Sequence, residues 1–194
     1  MCIRDSGGGG LASGVGSVFR QLSPHTKLIG VQPLGAPSMQ RAIQTGLRQP
    51  LEHIESFVDG AAVKRLGALP YEILQANRER LSFDTVSEGA VCTDLLNLYQ
   101  NEGIIAEPAG ALSVAGLHQL DLEPGSTVVC VISGGNNDVL RYAEIMERSL
   151  VHRGLKHYFL VNFPQEPGQL RHFLHEILGP TDDITLFEYL KRNN

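Results

Sequence analysis

The sequence has 194 residues, and its 16 lysines and arginines against 21 aspartates and glutamates give a formal net charge of −5. This acidic balance argues against nucleic-acid binding, which usually requires a basic face, and an apolar content of 42% is ordinary for a globular protein. The three cysteines are widely spaced and suit a reducing cytosol rather than a zinc knuckle, and no apolar run approaches the length of a membrane span. We therefore expect a cytoplasmic protein whose partners include neither nucleic acid nor a membrane.

In chain order, the first clear feature is a run of four glycines. Gly7–Gly10 come directly before apolar residues at helical spacing, which predicts a helix from about Leu11 that Ser23-Pro24 ends. The elements predicted next are a strand at 27–31, a helix from Ser38 to about Thr45, a helix from about Tyr71 and a strand at 81–86. A glycine loop therefore opens a helix, and strands and helices follow it.

The second half contains the clearest candidate for a buried strand. Residues 127–132 (TVVCVI) lack polar alternation, which predicts a strand buried on both faces, as in a parallel sheet. A loop, Ser133–Asn137, follows this strand. The helices predicted around it run from Ser87-Glu88 to Gly103, from Pro108 to about Leu120, and from Asp138 to about Leu150.

The character of the sequence changes after Arg153-Gly154. Strands are expected at 157–163 and 183–190, on either side of a helix with an amphipathic stripe. The stripe consists of Leu170, Phe173, Leu174, Ile177 and Leu178. Two strands and one helix are too few to bury a core alone, so we interpret the tail as a second, truncated domain.

The glycine loop is the sharpest chemical signal. Consecutive glycines leave backbone N–H groups free to face an anion, and the following helix adds its positive end, so a phosphate is the expected ligand. A flexible linker or a tight turn is the plain structural alternative. No Gly-Lys-Ser/Thr follows, which excludes a P-loop. A dinucleotide fingerprint nearly fits at Gly7, Gly9 and Ala12, but the next strand ends at Val31-Gln32 without a carboxylate for the ribose, which argues against it.

Two further positions are candidate site residues. Ser133 would present a hydroxyl at the carboxyl end of the predicted strand, where ligands of open α/β sheets gather, although a helix cap or Ser-turn would also explain it. Glu107 precedes a helix N-terminus, where a carboxylate often only complements the helix dipole. The seven histidines show no metal-ligand spacing.

Four motifs in order make the sequence resemble a known family: GGGGL at 7–11, VDGAAVKRLG at 58–67, EPAGAL at 107–112 and SGGNND at 133–138. Together with the tail they resemble the biosynthetic threonine dehydratases (threonine ammonia-lyases), in the short form with one regulatory domain. The resemblance implies an α/β fold, namely the C-terminal part of a tryptophan synthase β-like (fold type II) pyridoxal-phosphate domain with a parallel sheet. A truncated α+β ACT-like regulatory domain would follow.

The resemblance also implies a domain organisation and roles for residues. Residues 7–152 would be a partial catalytic domain and 153–194 the N-terminal half of the regulatory domain. The cofactor, pyridoxal 5′-phosphate, would be bound through its phosphate by Gly7, Gly8, Gly9, Gly10 and Leu11, and through its pyridine nitrogen by Ser133. The reaction implied converts L-threonine to 2-oxobutanoate and ammonia, at the entry to isoleucine biosynthesis. Isoleucine would be the allosteric ligand of a homotetramer.

The sequence departs from the family pattern in two ways. The Schiff-base lysine of the family lies in a segment upstream of the glycine loop, and none of Lys27, Lys64, Lys156 and Lys191 has that context. We therefore expect no catalytic residue in this chain and no activity from it alone. Residues 1–6 also replace the apolar strand that should precede the loop, so we interpret them as a non-native or mis-assembled start of a fragment.

Alternatives remain at this point. Serine racemases bind a divalent cation after the strand that follows the glycine loop, but Gln32 and Ser38 replace the carboxylates here, so no metal is expected. A serine dehydratase or serine racemase-like enzyme is the nearest rival, and the tail favours the regulated threonine enzyme over it. A different class is an ACT-like module that senses an amino acid, and a dinucleotide enzyme is a distant third.

Overall fold

The computed structural model describes residues 2–5 by their backbone, and residues 7–164 and 166–190 in full. The chain divides into an N-terminal unit, Met1–His157, and a C-terminal unit, Tyr158–Asn194. The predicted boundary at 153 lies five residues before this division and stays a prediction. Within the described residues, no helix is both long enough and apolar enough to cross a membrane.

A parallel sheet organises the N-terminal unit. Its strands are β1 Cys2–Asp5, β2 Leu28–Pro33, β3 Leu81–Val86 and β4 Val129–Cys130, in the order β3-β2-β1-β4. All three neighbouring pairs are parallel, so the carboxyl ends of the strands share one edge. Every residue of β2 is buried, as expected for a strand that is covered on both faces.

Helices cover the sheet and complete two apolar clusters. The helices are α1 Gly10–Leu22, α2 Ser38–Thr45, α3 Ala68–Gln75, α4 Glu88–Glu102, α5 Pro108–Leu117, a short 3₁₀ helix Val139–Arg141, α6 Tyr142–His152 and α7 Gln169–Glu176. Because neighbouring strand residues face opposite ways, Ile29 joins a cluster with residues of α4, α5 and α6, while Leu28 joins one with residues of α1, α2 and α3. The unit therefore has three layers.

Local signals placed most of these elements correctly. The predicted strand at 81–86 coincides with β3. The Ser87 side chain accepts a hydrogen bond from the Ala90 N–H at 3.2 Å at the start of α4, and Gly103, with φ 67°, ends that helix. Cap residues and glycines at positive φ thus set helix ends as the sequence predicted.

Three details of the N-terminal unit differ from the sequence-based expectation. The predicted strand at 127–132 shrinks to Val129–Cys130, and Val129 is 55% exposed, because β4 lies at the sheet edge with only β1 beside it among the described residues. The prediction that this strand is buried on both faces was therefore wrong. The start of the chain was not expected to form a strand, yet Cys2–Asp5 pairs with both β2 and β4. Ladder hydrogen bonds use the main chain, so the apolar pattern that the sequence lacks is not required.

The third difference concerns the start of α2. Ser38 was expected to cap this helix. Pro37 occupies the cap position instead, and its side chain makes no capping hydrogen bond. The Gln32 side chain does so from the end of β2, since its Oε1 accepts hydrogen bonds from the N–H groups of Met39 at 3.0 Å and Gln40 at 2.9 Å. A side chain at the end of the preceding strand thus takes the role that was expected of Ser38.

The C-terminal unit contains one helix among its described residues. The amphipathic helix is confirmed as α7, but the strands predicted at 157–163 and 183–190 are absent from the described residues. Phe163 nevertheless lies against Phe173 of α7 and Tyr189, with ring centroids 5.7 and 6.5 Å apart. Apolar side chains meet here without a strand ladder, because a strand requires a neighbour in hydrogen-bonding register and a helix does not.

Candidate functional site

The glycine loop lies between β1 and α1, at the carboxyl edge of the sheet. Gly7 and Gly9 are buried, whereas Gly8 and Gly10 are exposed. Gly9 has φ +89°, and a Cβ on it would lie 2.6 Å from Leu66 Cδ1 and 2.8 Å from Pro70 Cβ. Backbone conformation and packing therefore both require glycine at position 9.

The exposed side of this loop can receive an anion. A Cβ on Gly8 or Gly10 would meet nothing within 4 Å. The first turn of α1 has no acidic residue, and the cap position, Gly9, has no side chain to accept its N–H groups. The first N–H groups of a helix lack partners within the helix and carry its positive end. The loop thus combines free donors, open space and positive potential, which is what a phosphate requires.

A second segment forms a wall behind the loop. A Cβ on Gly7 would lie 2.9 Å from Ala61 Cα and 3.0 Å from Gly60 O. Farther along, the Gly67 N–H donates to Gly8 O at 3.3 Å. Because this packing is backbone against backbone, the stretch from 58 to 67 fixes the position of the glycine loop.

The Ser133 loop reaches the same edge of the sheet from β4. Since β4 is parallel to β1 and adjacent to it, the loops after the two strands leave from the same side. Ser133 is exposed. Its neighbour Gly134 accepts a hydrogen bond through its carbonyl oxygen from the Glu107 N–H at 3.0 Å, and a Cβ on Gly134 would overlap the Glu107 carboxylate. The start of α5 thereby holds the Ser133 loop.

All four motif segments thus meet at one place. A Cβ on Gly60 would lie 2.9 Å from Ala109 Cβ and 3.5 Å from Glu107 Oε1, so the 58–67 segment contacts both the glycine loop and the start of α5. Glu107 is half-buried and makes no side-chain hydrogen bond or ion pair with any other described residue. The binding role of Ser133 stays a prediction.

Three of the four lysines lie within the described residues. Lys27 precedes β2 and is exposed at the opposite edge of the sheet, and Lys156 pairs with Glu147 at 2.7 Å. Lys64 belongs to the 58–67 segment, but its side chain is exposed. Lys191 lies outside the described residues. Within the described part of the chain, no group of three or more His, Cys, Asp and Glu side chains is arranged to hold a metal.

Sequence reasoning missed the contacts around Phe57, the residue directly before the 58–67 segment. Phe57 is buried, and the guanidinium carbons of Arg141 and Arg148 lie 4.9 and 4.2 Å from its ring centroid. Partial burial lowers the pKa of Arg148, but its hydrogen bonds and ion pairs with Glu55 and Glu144 outweigh this and raise that pKa overall. No local signal predicts such contacts, because the partners are far apart in sequence.

Family models match the chain in two parts. The model described as pyridoxal-phosphate dependent enzyme matches residues 3–134, and the model described as the C-terminal regulatory domain of threonine dehydratase matches residues 147–194. The first match contains all four motifs up to Gly134. The second includes the end of α6 and the whole C-terminal unit.

Curated relatives cover nearly all of this chain. It is 67% identical over 188 residues to L-threonine dehydratase biosynthetic IlvA of Corynebacterium glutamicum, a match over 97% of this chain and 43% of that protein. The corresponding protein of Mycobacterium leprae is 63% identical, over 97% of this chain and 44% of its own length. The chain therefore spans less than half the length of these relatives.

Solved structures share the fold. A processed form of threonine deaminase isoform 2 from Solanum lycopersicum superposes with a TM-score of 0.69 at 29% identity, over 77% of this chain and 42% of that one. A second threonine deaminase, that of T.th., gives 0.65 at 32%, over 71% and 50%. Maize serine racemase gives 0.65 at 23%, over 79% and 47%, which supports the fold alone. The resemblance drawn from the four motifs and the tail is thus confirmed.

Proposed function

Because the chain belongs to the family of pyridoxal-phosphate dependent enzymes, we propose that it is part of a threonine ammonia-lyase. The proposed reaction converts L-threonine to 2-oxobutanoate and ammonia and opens isoleucine biosynthesis. The observation that carries the cofactor site is the meeting of four motif segments at one sheet edge, around Gly7 and Gly134. The choice of threonine rests on the names of the relatives and on the match to the regulatory-domain model.

The glycine loop is proposed to bind the cofactor phosphate. Gly7 and Gly9 fix the loop through their packing, and Gly8 and Gly10 leave the space that phosphate oxygens need. The N–H groups of the loop and of Leu11 would donate to those oxygens. When bound, the cofactor withdraws electrons from the substrate α-carbon, which allows the β-hydroxyl group to leave.

Ser133 is proposed to hydrogen-bond the pyridine nitrogen. Its exposure at the end of β4, next to the strand that carries the glycine loop, supports this role. A hydroxyl group, unlike a carboxylate, does not enforce a protonated pyridine nitrogen, so the ring is a weaker electron acceptor. Such a ring suits β-elimination better than chemistry that requires a long-lived carbanion.

The wider properties of the enzyme are part of the same proposal. The complete protein is proposed to be a cytoplasmic homotetramer that isoleucine regulates through the domain to which residues 147–194 belong. Serine as the preferred substrate is the runner-up, because serine racemases and a serine ammonia-lyase share the fold at 17–28% identity. The regulatory-domain match favours threonine.

Cofactor binding can be tested on this chain without a reactive lysine. Pyridoxamine 5′-phosphate needs no covalent link, and its fluorescence change gives a dissociation constant. Gly8→Ala and Gly10→Ala add methyl groups that meet no protein atom but occupy the proposed phosphate space. We expect both to weaken binding about tenfold or more, and Gly14→Ala, an equally open site inside α1, to leave it unchanged. Equal binding by all four proteins would refute the phosphate site.

The reaction itself can be tested by exchange with a relative. Residues 7–190 would replace the matching segment of the Corynebacterium glutamicum protein, which is 67% identical to this chain. We expect the chimera to form 2-oxobutanoate from threonine in preference to pyruvate from serine. We expect the 194-residue chain alone to form neither. A chimera that folds and binds cofactor but prefers serine would replace the proposal with its runner-up.

A further inference from the structure

Two arginines share one aromatic ring but differ in their other partners. Arg141 donates from Nη2 to the Phe57 carbonyl oxygen at 2.5 Å, and its Nη1 lies 3.5 Å from Asp59 Oδ1. Arg148 contacts the same ring and pairs with Glu55 at 2.5 Å and Glu144 at 2.9 Å. Only Arg141 therefore holds the main chain next to Phe57.

The main chain that Arg141 holds leads directly into residues 58–67, the wall behind the glycine loop. Asp59 Oδ1 accepts a hydrogen bond from the Gly60 N–H at 3.0 Å. The next backbone atoms, Gly60 O and Ala61 Cα, are those that a Cβ on Gly7 would meet at 3.0 and 2.9 Å. A shift of the Phe57–Asp59 backbone would therefore move the surface against which Gly7 rests.

Arg141 is also tied to the loop that carries Ser133. Its own N–H donates to Asp138 O at 3.0 Å, and Asp138 Oδ1 accepts from the Leu140 N–H at 2.9 Å. The 3₁₀ helix Val139–Arg141 is thus the direct continuation of the Ser133 loop. One side chain consequently joins the segment behind the glycine loop to the segment that follows β4.

We propose that Arg141 is a positioning residue that sets the spacing between Gly7–Gly10 and Ser133. This inference rests on the proposed function, in which those residues hold the two ends of one cofactor. Arg141 touches neither end and acts through Phe57, Asp59 and Gly60. An arginine suits this role because its planar guanidinium contacts a carbonyl, a carboxylate and a ring together, which a lysine ammonium does not.

The test compares Arg141→Met with Arg148→Met in the 194-residue chain. Both variants remove a guanidinium from the Phe57 ring, but only the first releases the Phe57 carbonyl and Asp59. The dissociation constant for pyridoxamine 5′-phosphate should rise about tenfold in Arg141→Met and stay within about twofold in Arg148→Met. Arg141→Lys, which keeps the charge near Asp59, should restore part of the affinity and covers the case in which Arg141→Met does not fold.

Thermal unfolding of the same proteins separates positioning from stability. If Arg141 were merely structural, affinity would fall in both methionine variants in proportion to their loss of stability. Equal affinity in Arg141→Met and the unsubstituted chain, or equal weakening by both methionine variants, would overturn the inference and leave the cofactor site standing. No binding by the unsubstituted chain would overturn both.

Discussion

Apolar patterns predicted strands and helices in both units of this chain, but the two units differ in how far their apolar side chains are buried. In the N-terminal unit, predicted strands and helices bury side chains such as Val31, Leu95 and Leu112 completely. In the C-terminal unit, none of the described residues is buried, and Leu160 and Leu190 are 96% and 86% exposed. An apolar pattern alone therefore does not form a core, because each apolar face must pack against another layer of secondary structure.

The largest expected difference between the units is in amide hydrogen exchange. Amides of β2 and β3 should exchange about a thousandfold or more slowly than those of 158–164 and 181–190, because only the former lie in a covered sheet. Exchange measured by mass spectrometry on the 194-residue chain gives both values at once. Comparable protection in both units would mean that the C-terminal unit is stabilised by contacts beyond those of the structure.

Core truncation should separate the units almost as strongly. Leu95→Ala removes a fully buried side chain and should lower the free energy of unfolding by about 3 kcal/mol. Leu160→Ala, at 96% exposure, should change it by less than about 0.5 kcal/mol. Urea unfolding followed by circular dichroism would measure both. A large effect of Leu160→Ala would show that this side chain is buried in solution.

A pair of cap glycines sharpens the comparison further. Gly9 and Gly168 precede α1 and α7 with φ +89° and +91°, so alanine is strained at both. Only at Gly9 would the new Cβ also meet side chains closely, at Leu66 and Pro70, whereas at Gly168 the nearest atom is 4.0 Å away. Gly9→Ala should destabilise the N-terminal unit by about 2–3 kcal/mol.

The matched variant, Gly168→Ala, should leave the unfolding transition of the N-terminal unit unchanged. The measurement is the denaturation midpoint of each variant beside the unsubstituted chain. Equal midpoints for both variants would contradict the packing described around the glycine loop.

The smallest expected effect reports on the N-terminal unit alone. Burial raises the pKa of the Cys92 thiol from its ordinary value of 9.0 to about 12, while Arg148 opposes this. Between these values the unfolded chain has released the proton and the folded chain retains it, so stability falls as pH rises. The slope approaches about 1.4 kcal/mol per pH unit. Between pH 8 and pH 10, the unsubstituted chain should lose about 1 kcal/mol more than Cys92→Ala.

If Cys92→Ala retained the pH dependence of the unsubstituted chain, the Cys92 thiol would not be as buried as the structure has it.

Features with a local cause could be predicted from the sequence, and features that depend on distant residues could not. Helix ends were predictable where a cap lies within a few residues, as at Ser87 and Gly103. The extent of β4 was not, because exposure at a sheet edge depends on which strand lies beside it. The tail strands failed for the same reason, since their predicted apolar residues found no strand to pair with.

The candidate site divides in the same way. The loop at Gly7–Gly10 and the helix behind it could be predicted from adjacent residues. Two contacts could not be predicted in this way. Gly134 packs so closely against the Glu107 carboxylate that a Cβ would overlap it, and Arg141 donates a hydrogen bond to the Phe57 carbonyl oxygen. Nothing near Phe57 in sequence indicates that an arginine 84 residues away will lie on its ring.

The position of β1 in the sheet has a consequence for how the chain is made. β1 lies between β2 and β4, so Cys2 pairs with Leu28, which is close in sequence, and with Val129, which is far away in sequence. On the ribosome, β1 can pair with β2 soon after both emerge, but the roughly 100 residues before β4 take about 5–20 s to synthesise. During that time one edge of β1 is an open template for wrong pairing. We expect this interval to be when a nascent chain depends most on chaperones.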